Sequence, residues 1–336
     1  MINKVSVIGA GGWGTALAIL LAEKQLPVCL WAHDPEHAQE LVISRENGTY
    51  LPGLKLPPNI TATSTLADTL DADVILMVTP SKAIREVAQS LAKHNPAANT
   101  VFVNCTKGIE HKTGNLMSQV LEECFPKNRI AVLSGPNLAM EIARHIPAAC
   151  VIGSKHEDIL KELQNLFTLP TFRAYTSEDV AGIQLGGALK NVFAIAAGVS
   201  DGFRMGDNAK ASLMTRSLAE LSRLGVALGG KRETFQGLSG IGDLMVTCFS
   251  KHSRNRSFGE RIGQGESTDA IQTSMKMVAE GFPTTRSAYE CARKLGAETP
   301  IIDQVYAVLY EGKSPREAMG ELLGRQPREE KDDRPS

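Results

Sequence analysis

Lys190 lies in VAGIQLGGALKNVFAIAAGVSDG, a stretch otherwise almost without charge. Its length and apolar content predict a buried helix over Val180–Val199. An amine held there is desolvated, which lowers a lysine pKa and lets it exchange a proton near neutral pH. Helical side chains lean back over positions i−3 and i−4. Those positions are Gly187 and Gly186, so Lys190 is expected to overlie bare backbone with room for a substrate. The bland alternative is a lysine that snorkels its amine to the surface; the apolar turns on both flanks weigh against it. Asn191 can donate to a substrate hydroxyl or close a core network, and both readings stand.

Three loops supply further polar groups. The run Asn104-Cys105-Thr106-Lys107-Gly108 follows an expected strand and places Lys107 at its carboxyl end, where open α/β sheets bind ligands. Ser134-Gly135-Pro136-Asn137 follows the next strand in the same way. An ordinary turn with a solvated lysine competes with each of these readings. The third is GLSGIGDLMVTCFSKHSRNRSFG, Gly237 to Gly259, in which Lys251, His252, Arg254 and Arg256 form a short cationic cluster. Arg254 with Asn255 could fork onto a phosphate, against the alternative of a solvated charge run. Asp243 either caps a helix or orients Lys190.

A different chemistry starts at residue 9. In GAGGWG the first glycine, Gly9, allows a tight turn, and Gly11 lets backbone approach a pyrophosphate. Gly14 permits close helix–strand packing, and the exposed N–H groups of the following helix face the phosphates. This placement, after a strand and before a helix, predicts dinucleotide binding. Asp34, at the end of the next strand, suits ribose hydroxyls and NAD. His33 before it is partly charged near neutral pH and could accept a 2′-phosphate, so NAD and NADP are both admitted.

The elements that must carry these groups change character along the chain. Strands are expected at Lys4–Ile8, Val28–Trp31, Val74–Val78, Val101–Asn104, Ile130–Leu133 and Ala149–Ile152. Helices are expected between them at Gly12–Glu23, Pro35–Ser44, Lys82–Lys93 and Glu157–Phe167. Such alternation predicts an α/β Rossmann domain, doubly wound on a mainly parallel sheet. After Ser177 helix dominates, at Val180–Val199, Ser212–Leu228, Thr268–Met277, Ser287–Lys294, Ile302–Leu309 and Pro315–Leu323. The expected organisation is a dinucleotide domain over 1–176, an all-α domain over 177–325 and a disordered tail over 326–336.

A net charge of −1 on 336 residues offers no field for nucleic acid or an anionic membrane. The six cysteines are too widely spaced for redox or zinc motifs, so reduced buried thiols and no metal site are expected. The amino terminus lacks signal-peptide features. Lys190 within the one long apolar segment argues against membrane insertion. A cytoplasmic protein is expected.

Eight stretches in order, GAGGWGTALA, LWAHD, CTKG, SGPN, GGALKN, GLSGIGDL, SRNRSFG and VAEG, resemble the bacterial NAD(P)-dependent sn-glycerol-3-phosphate dehydrogenases. The resemblance runs from about Val5 to Gly324. It implies a Rossmann domain, an all-helical substrate domain and an active site in the cleft between them. It also implies reversible interconversion of dihydroxyacetone phosphate and sn-glycerol 3-phosphate, mainly for phospholipid synthesis. By the same resemblance Lys190 is the general acid/base, Lys107 contacts substrate and cofactor, and Asp243 and Thr247 complete the catalytic network. Arg254 and Asn255, with Ser253 nearby, become phosphate ligands, and Gly135, Asn137 and Asn191 substrate contacts. Gly12, Trp13, His33, Ala139, Val278 and Glu280 become cofactor contacts with the glycines of the turn; Lys107 and Arg254 join them. Asn137 departs from the threonine common in the family, which leaves the geometry of that contact open. The partners implied are a small phosphorylated molecule and NAD or NADP; a homodimer is admitted. A β-hydroxyacid dehydrogenase of similar architecture is the principal alternative, and a non-enzymatic NAD(H) sensor a weaker one.

Overall fold

The computed structural model describes residues 2–275, 279–327 and 329–330. Packing divides the chain into two units. The first runs to Lys107 and resumes over Asn115–Val180; the second holds Gly108–Gly114 and the chain from Ala181 onward.

The first unit alternates β1 (Val5–Ile8), α1 (Gly12–Ala22), β2 (Val28–Trp31), α2 (Pro35–Ser44), β3 (Ile60–Thr63), β4 (Val74–Met77), α3 (Ile84–Ala92) and β5 (Val101–Asn104). It continues with α4 (Met117–Cys124), β6 (Arg129–Ser134), α5 (Ala139–Ala143), β7 (Ala148–Ser154), α6 (Glu157–Phe167) and β8 (Phe172–Ser177). The strands form one sheet in the order β3-β2-β1-β4-β5-β6-β7-β8, parallel throughout except where β7 runs antiparallel to β6. Central strands such as VSVI and VILM are buried along their whole length, as a sheet covered on both faces requires. Val74 and Leu76 join one core with Leu17, Leu41 and Leu163 of α1, α2 and α6. Ile75 and Met77 join the opposite core with Leu91 of α3 and Val120 of α4. The doubly wound, mainly parallel sheet is as expected.

Four elements of this unit were not expected. The edge strand β3, ITAT, buries only Ile60, so its apolar signal is weak. The alternation in β8 is short. The helix α4 opens after a loop without a Ser, Thr, Asp or Asn cap, and α5 has only five residues.

The second unit comprises α7 (Val180–Gly202), α8 (Asp207–Ala227), α9 (Arg232–Phe235), α10 (Asp243–Phe249) and α11 (Arg254–Gly263). It ends with α12 (Thr268–Ser274), α13 (Gly281–Leu295), α14 (Pro300–Tyr310) and α15 (Pro315–Leu323). A π-helical turn, Leu238–Gly242, leads into α10. Among the described residues α7 is the one helix long and apolar enough to cross a membrane, and 89% of its most apolar window is buried in the protein. It is the core helix of this unit. α11 lies directly on it, because Gly198 and Gly202 face the carbonyls of Arg256 and Glu260 while Gly259 and Gly263 face those of Ile195 and Val199. Any Cβ at these four positions would strike backbone.

The expected end of α12 at Met277 lies outside the described residues, and so does most of the expected tail over 326–336. The segment Gly108–Gly114, assigned from sequence to the first domain, packs with the second unit. There Ser287 Oγ donates to the Ile109 carbonyl at 3.2 Å.

Candidate active site

The turn after β1 is built for an anion. Gly9 has φ +124°, and a Cβ there would stand 2.8 Å from the Val78 carbonyl oxygen at the end of β4. These strands flank the point where the strand order reverses, the usual ligand edge of such a sheet. A Cβ on Gly14 would collide with the Gly9 carbonyl, whereas one on Gly11 would meet nothing within 4 Å. The backbone before α1 is thus open at Gly11 and closed at its neighbours. No side chain caps the helix and its first turn has no acid, so its N–H groups remain for a ligand. The Trp13 indole N–H is buried with no partner. Ala139, the first residue of α5, has its Cβ 3.9 Å from the point a Gly12 Cβ would occupy. These features fit a dinucleotide pyrophosphate. His33 and Asp34 are both exposed. Asp34 also caps α2, accepting the Glu36 N–H at 3.0 Å.

Lys107 follows β5, where Asn104 brackets the loop through Thr106 and the Thr106 hydroxyl donates to the Thr79 carbonyl at 2.7 Å. The Lys107 amine donates to the Gly135 carbonyl at 3.1 Å. Gly135, φ +150°, brings that loop close against Ala149 and Cys150. Asn137 donates to the Ala149 carbonyl at 3.0 Å, and its Oδ1 is buried without a partner. Burial pushes the Cys105 and Cys150 thiols well above their ordinary range, so they are packing groups rather than nucleophiles.

In the second unit Lys190 is 6% exposed and does not snorkel to the surface. Its amine pairs with the Asp243 carboxylate and donates to the Thr247 hydroxyl at 2.7 Å. The Thr247 hydroxyl lies 3.5 Å from Asp243 Oδ1, closing the triangle. Asp243 is fully buried in the first turn of α10, whose N-cap is Gly242, so its carboxylate serves Lys190 rather than a helix end. Thr247, one turn later, falls on the same face.

The expected gap beside Lys190 is closed at Gly186. Gly186 is closely covered by the backbone of Ser239 and Gly240, so the glycine admits the π-helical turn and leaves no room there for a substrate. That turn delivers Asp243 to Lys190.

The basic cluster read from sequence separates in space. Lys251 and His252 are exposed, and Arg256 is buried against Asp201 and Glu260. Arg254, the first residue of α11, is exposed. Crowding around its guanidinium lowers its pKa from the ordinary value, and the Glu280 carboxylate works in the opposite direction. Ser253 caps α11, its Oγ accepting the Arg256 N–H at 3.2 Å. The Asn255 amide donates to Asn191 Oδ1 at 2.8 Å and accepts the Gly281 N–H at 2.8 Å. This join of α7, α11 and α13 places Asn191 in a core network, one of its two sequence readings; its partners Asn255 and Gly281 carried no signal, since they are far apart in sequence. Val278 lies outside the described residues.

A family model described as NAD-dependent glycerol-3-phosphate dehydrogenase N-terminus matches residues 4–160, and its C-terminal counterpart matches residues 179–320. The chain belongs to this family. A relative from Fusobacterium nucleatum, named glycerol-3-phosphate dehydrogenase [NAD(P)+], is 47% identical over 95% of this chain and 96% of its own length. Among solved structures, glycerol-3-phosphate dehydrogenase from Coxiella burnetii superposes with a TM-score of 0.93 at 37% identity, over 96% of this chain and 99% of that one. A ketopantoate reductase from Ralstonia eutropha shares the fold alone, at a TM-score of 0.62 and 16% identity over 94% of this chain and 99% of that one. A shared fold does not by itself fix a substrate, so substrate choice rests with particular side chains.

Proposed function

We propose that this NAD(P)-dependent glycerol-3-phosphate dehydrogenase reduces dihydroxyacetone phosphate to sn-glycerol 3-phosphate with Lys190 as the proton donor, and reverses the reaction through the same group. The observation that carries this reading is the buried Lys190 amine held between the Asp243 carboxylate and the Thr247 hydroxyl.

Ketone reduction adds a hydride to carbon and a proton to oxygen. A bound nicotinamide would supply the hydride. Gly9, Gly11, Gly12, Trp13 and Gly14 would hold its dinucleotide, with Ala139 and His33 as further contacts. Lys190, as the ammonium, gives its proton to the developing alkoxide. Asp243 offsets the ammonium charge, and with Thr247 it fixes the direction of the amine. Lys107 adds positive charge that stabilises the oxyanion. The Asn137 Oδ1 accepts from a substrate hydroxyl, a contact the unpartnered atom suits.

Arg254 grips the phosphate, joined by the N-terminal N–H groups of α11. Asn255 is committed to Asn191 and Gly281, so its share in that grip is mainly to hold the loop. Remote phosphate binding then positions the carbonyl. The product suits phospholipid synthesis in the cytoplasm, and the working form is proposed to be a homodimer.

Steady-state rates with dihydroxyacetone phosphate, measured with NADH and NADPH in parallel, and with a non-phosphorylated β-hydroxy acid plus NAD+ or NADP+, test the reading. Turnover of the phosphorylated ketone with either cofactor, and little with the acid, is expected. Preference for the acid would overturn it.

A further inference from the structure

Asp201 stands at the carboxyl end of α7, about three turns beyond Lys190. Its carboxylate accepts from Arg256 Nε at 2.5 Å and from Lys210 Nζ at 2.8 and 3.0 Å. Arg256 also turns Nη1 to Glu260 Oε2 at 3.2 Å. The Lys210 and Arg256 side chains each keep 10% of their surface and Asp201 keeps 19%. Two carboxylates face two cations in one largely buried cluster. The Lys210 ammonium also lies 4.7 Å from the centroid of Phe249, the last residue of α10.

This cluster pins together the helices that carry the second unit's candidate groups. Lys190 and Asn191 lie on α7, Asp243 and Thr247 on α10, and Arg254 and Asn255 on α11. The contact between α7 and α11 is backbone against backbone through Gly198, Gly202, Gly259 and Gly263. Such a surface has few side chains to interlock, so packing alone resists sliding or rotation weakly. Polar pins supply the register. One is Asn255 on Asn191; the other is Arg256 on Asp201, two residues beyond Arg254.

We infer that Asp201 is a positioning residue that, through Arg256, fixes the placement of Arg254 relative to Lys190 and so matches the site to the span between substrate phosphate and carbonyl. The inference rests on Arg254 gripping the phosphate. A purely structural cluster would affect all substrates alike, whereas a positioning role affects the phosphorylated one selectively.

The test compares Asp201→Asn, Arg256→Lys and Arg254→Ala using dihydroxyacetone phosphate and its phosphate-free analogue dihydroxyacetone. Arg256→Lys keeps the charge count and carries the test if Asp201→Asn does not fold. The two positioning variants should raise KM for dihydroxyacetone phosphate by about tenfold or more. Their kcat/KM for dihydroxyacetone and their Kd for NADH should stay close to wild type. Equal losses on both substrates, or an unchanged KM, would overturn the inference. If Arg254→Ala shows the phosphate-specific loss and the other two do not, the inference alone falls. If Arg254→Ala shows none, the phosphate role of Arg254 falls and the inference falls with it.

Discussion

Gly11 and Gly14 lack a side chain for opposite reasons. Gly14 is pressed on the Gly9 carbonyl, while Gly11 faces open space. Gly14→Ala overpacks a buried helix–strand contact and should cost about 1–3 kcal/mol or more. Gly11→Ala should leave thermal unfolding unchanged and weaken NADH binding, because its methyl enters the space of the pyrophosphate. Paired melting and cofactor titration check this; equal destabilisation by both would refute it. At this scale the sequence exposed Lys190 clearly, since a lone charge in an apolar helix is conspicuous. Its partner was one of two readings of Asp243, because nothing local reveals a contact across 53 positions. Gly186 was misjudged for a related reason. A missing side chain shows that something comes close, and only the fold showed it to be backbone rather than substrate.

Helix ends show how elements in the second unit are set. Pro300 opens α14, and the next N–H groups, of Ile301 and Ile302, donate to the Glu220 carboxylate of α8 at 2.9 and 2.8 Å. Glu220 is 2% exposed. Burial pushes its carboxyl from an ordinary 4.5 up to about 8, against the pull of those two N–H groups. Between these values the folded state holds a proton that the unfolded chain has released. The contribution of Glu220 is therefore greatest below the unfolded value and declines as pH rises toward the folded one, by at most about 1.4 kcal/mol per pH unit.

Glu220→Gln removes this slope. The difference in melting temperature, wild type minus variant, should fall steadily from mildly acidic to mildly alkaline pH. A difference independent of pH would contradict the assignment. Glu220 carried no signal in the sequence, since an acid within α8 resembles any solvated one. The buried strands β1, β4 and β5 were legible through their continuous apolar runs; the edge strand β3 was not, for want of burial.

At the scale of the molecule, order along the chain proved more informative than any single motif. GAGGWG alone indicates a dinucleotide. The glycine turn, the lysine helix and the Arg254 loop in succession indicate the family, which the matches over residues 4–160 and 179–320 establish. The division of labour follows from that order. The first unit offers open backbone and uncommitted N–H groups at α1, and the second offers a buried amine with its acid. NADH should therefore stabilise the chain even when Lys190 is replaced, by about 2.7 kcal/mol at a hundredfold excess over Kd. A Lys190→Met variant with no cofactor-dependent rise in melting temperature would show that the two functions are not separable in this way.

The same variant tests the central claim. With saturating NADH and dihydroxyacetone phosphate, kcat of Lys190→Met should fall by about 10²–10⁴ while Kd for NADH stays at the wild-type value. Turnover close to wild type, with the cofactor bound equally well, would remove Lys190 from the proton transfer.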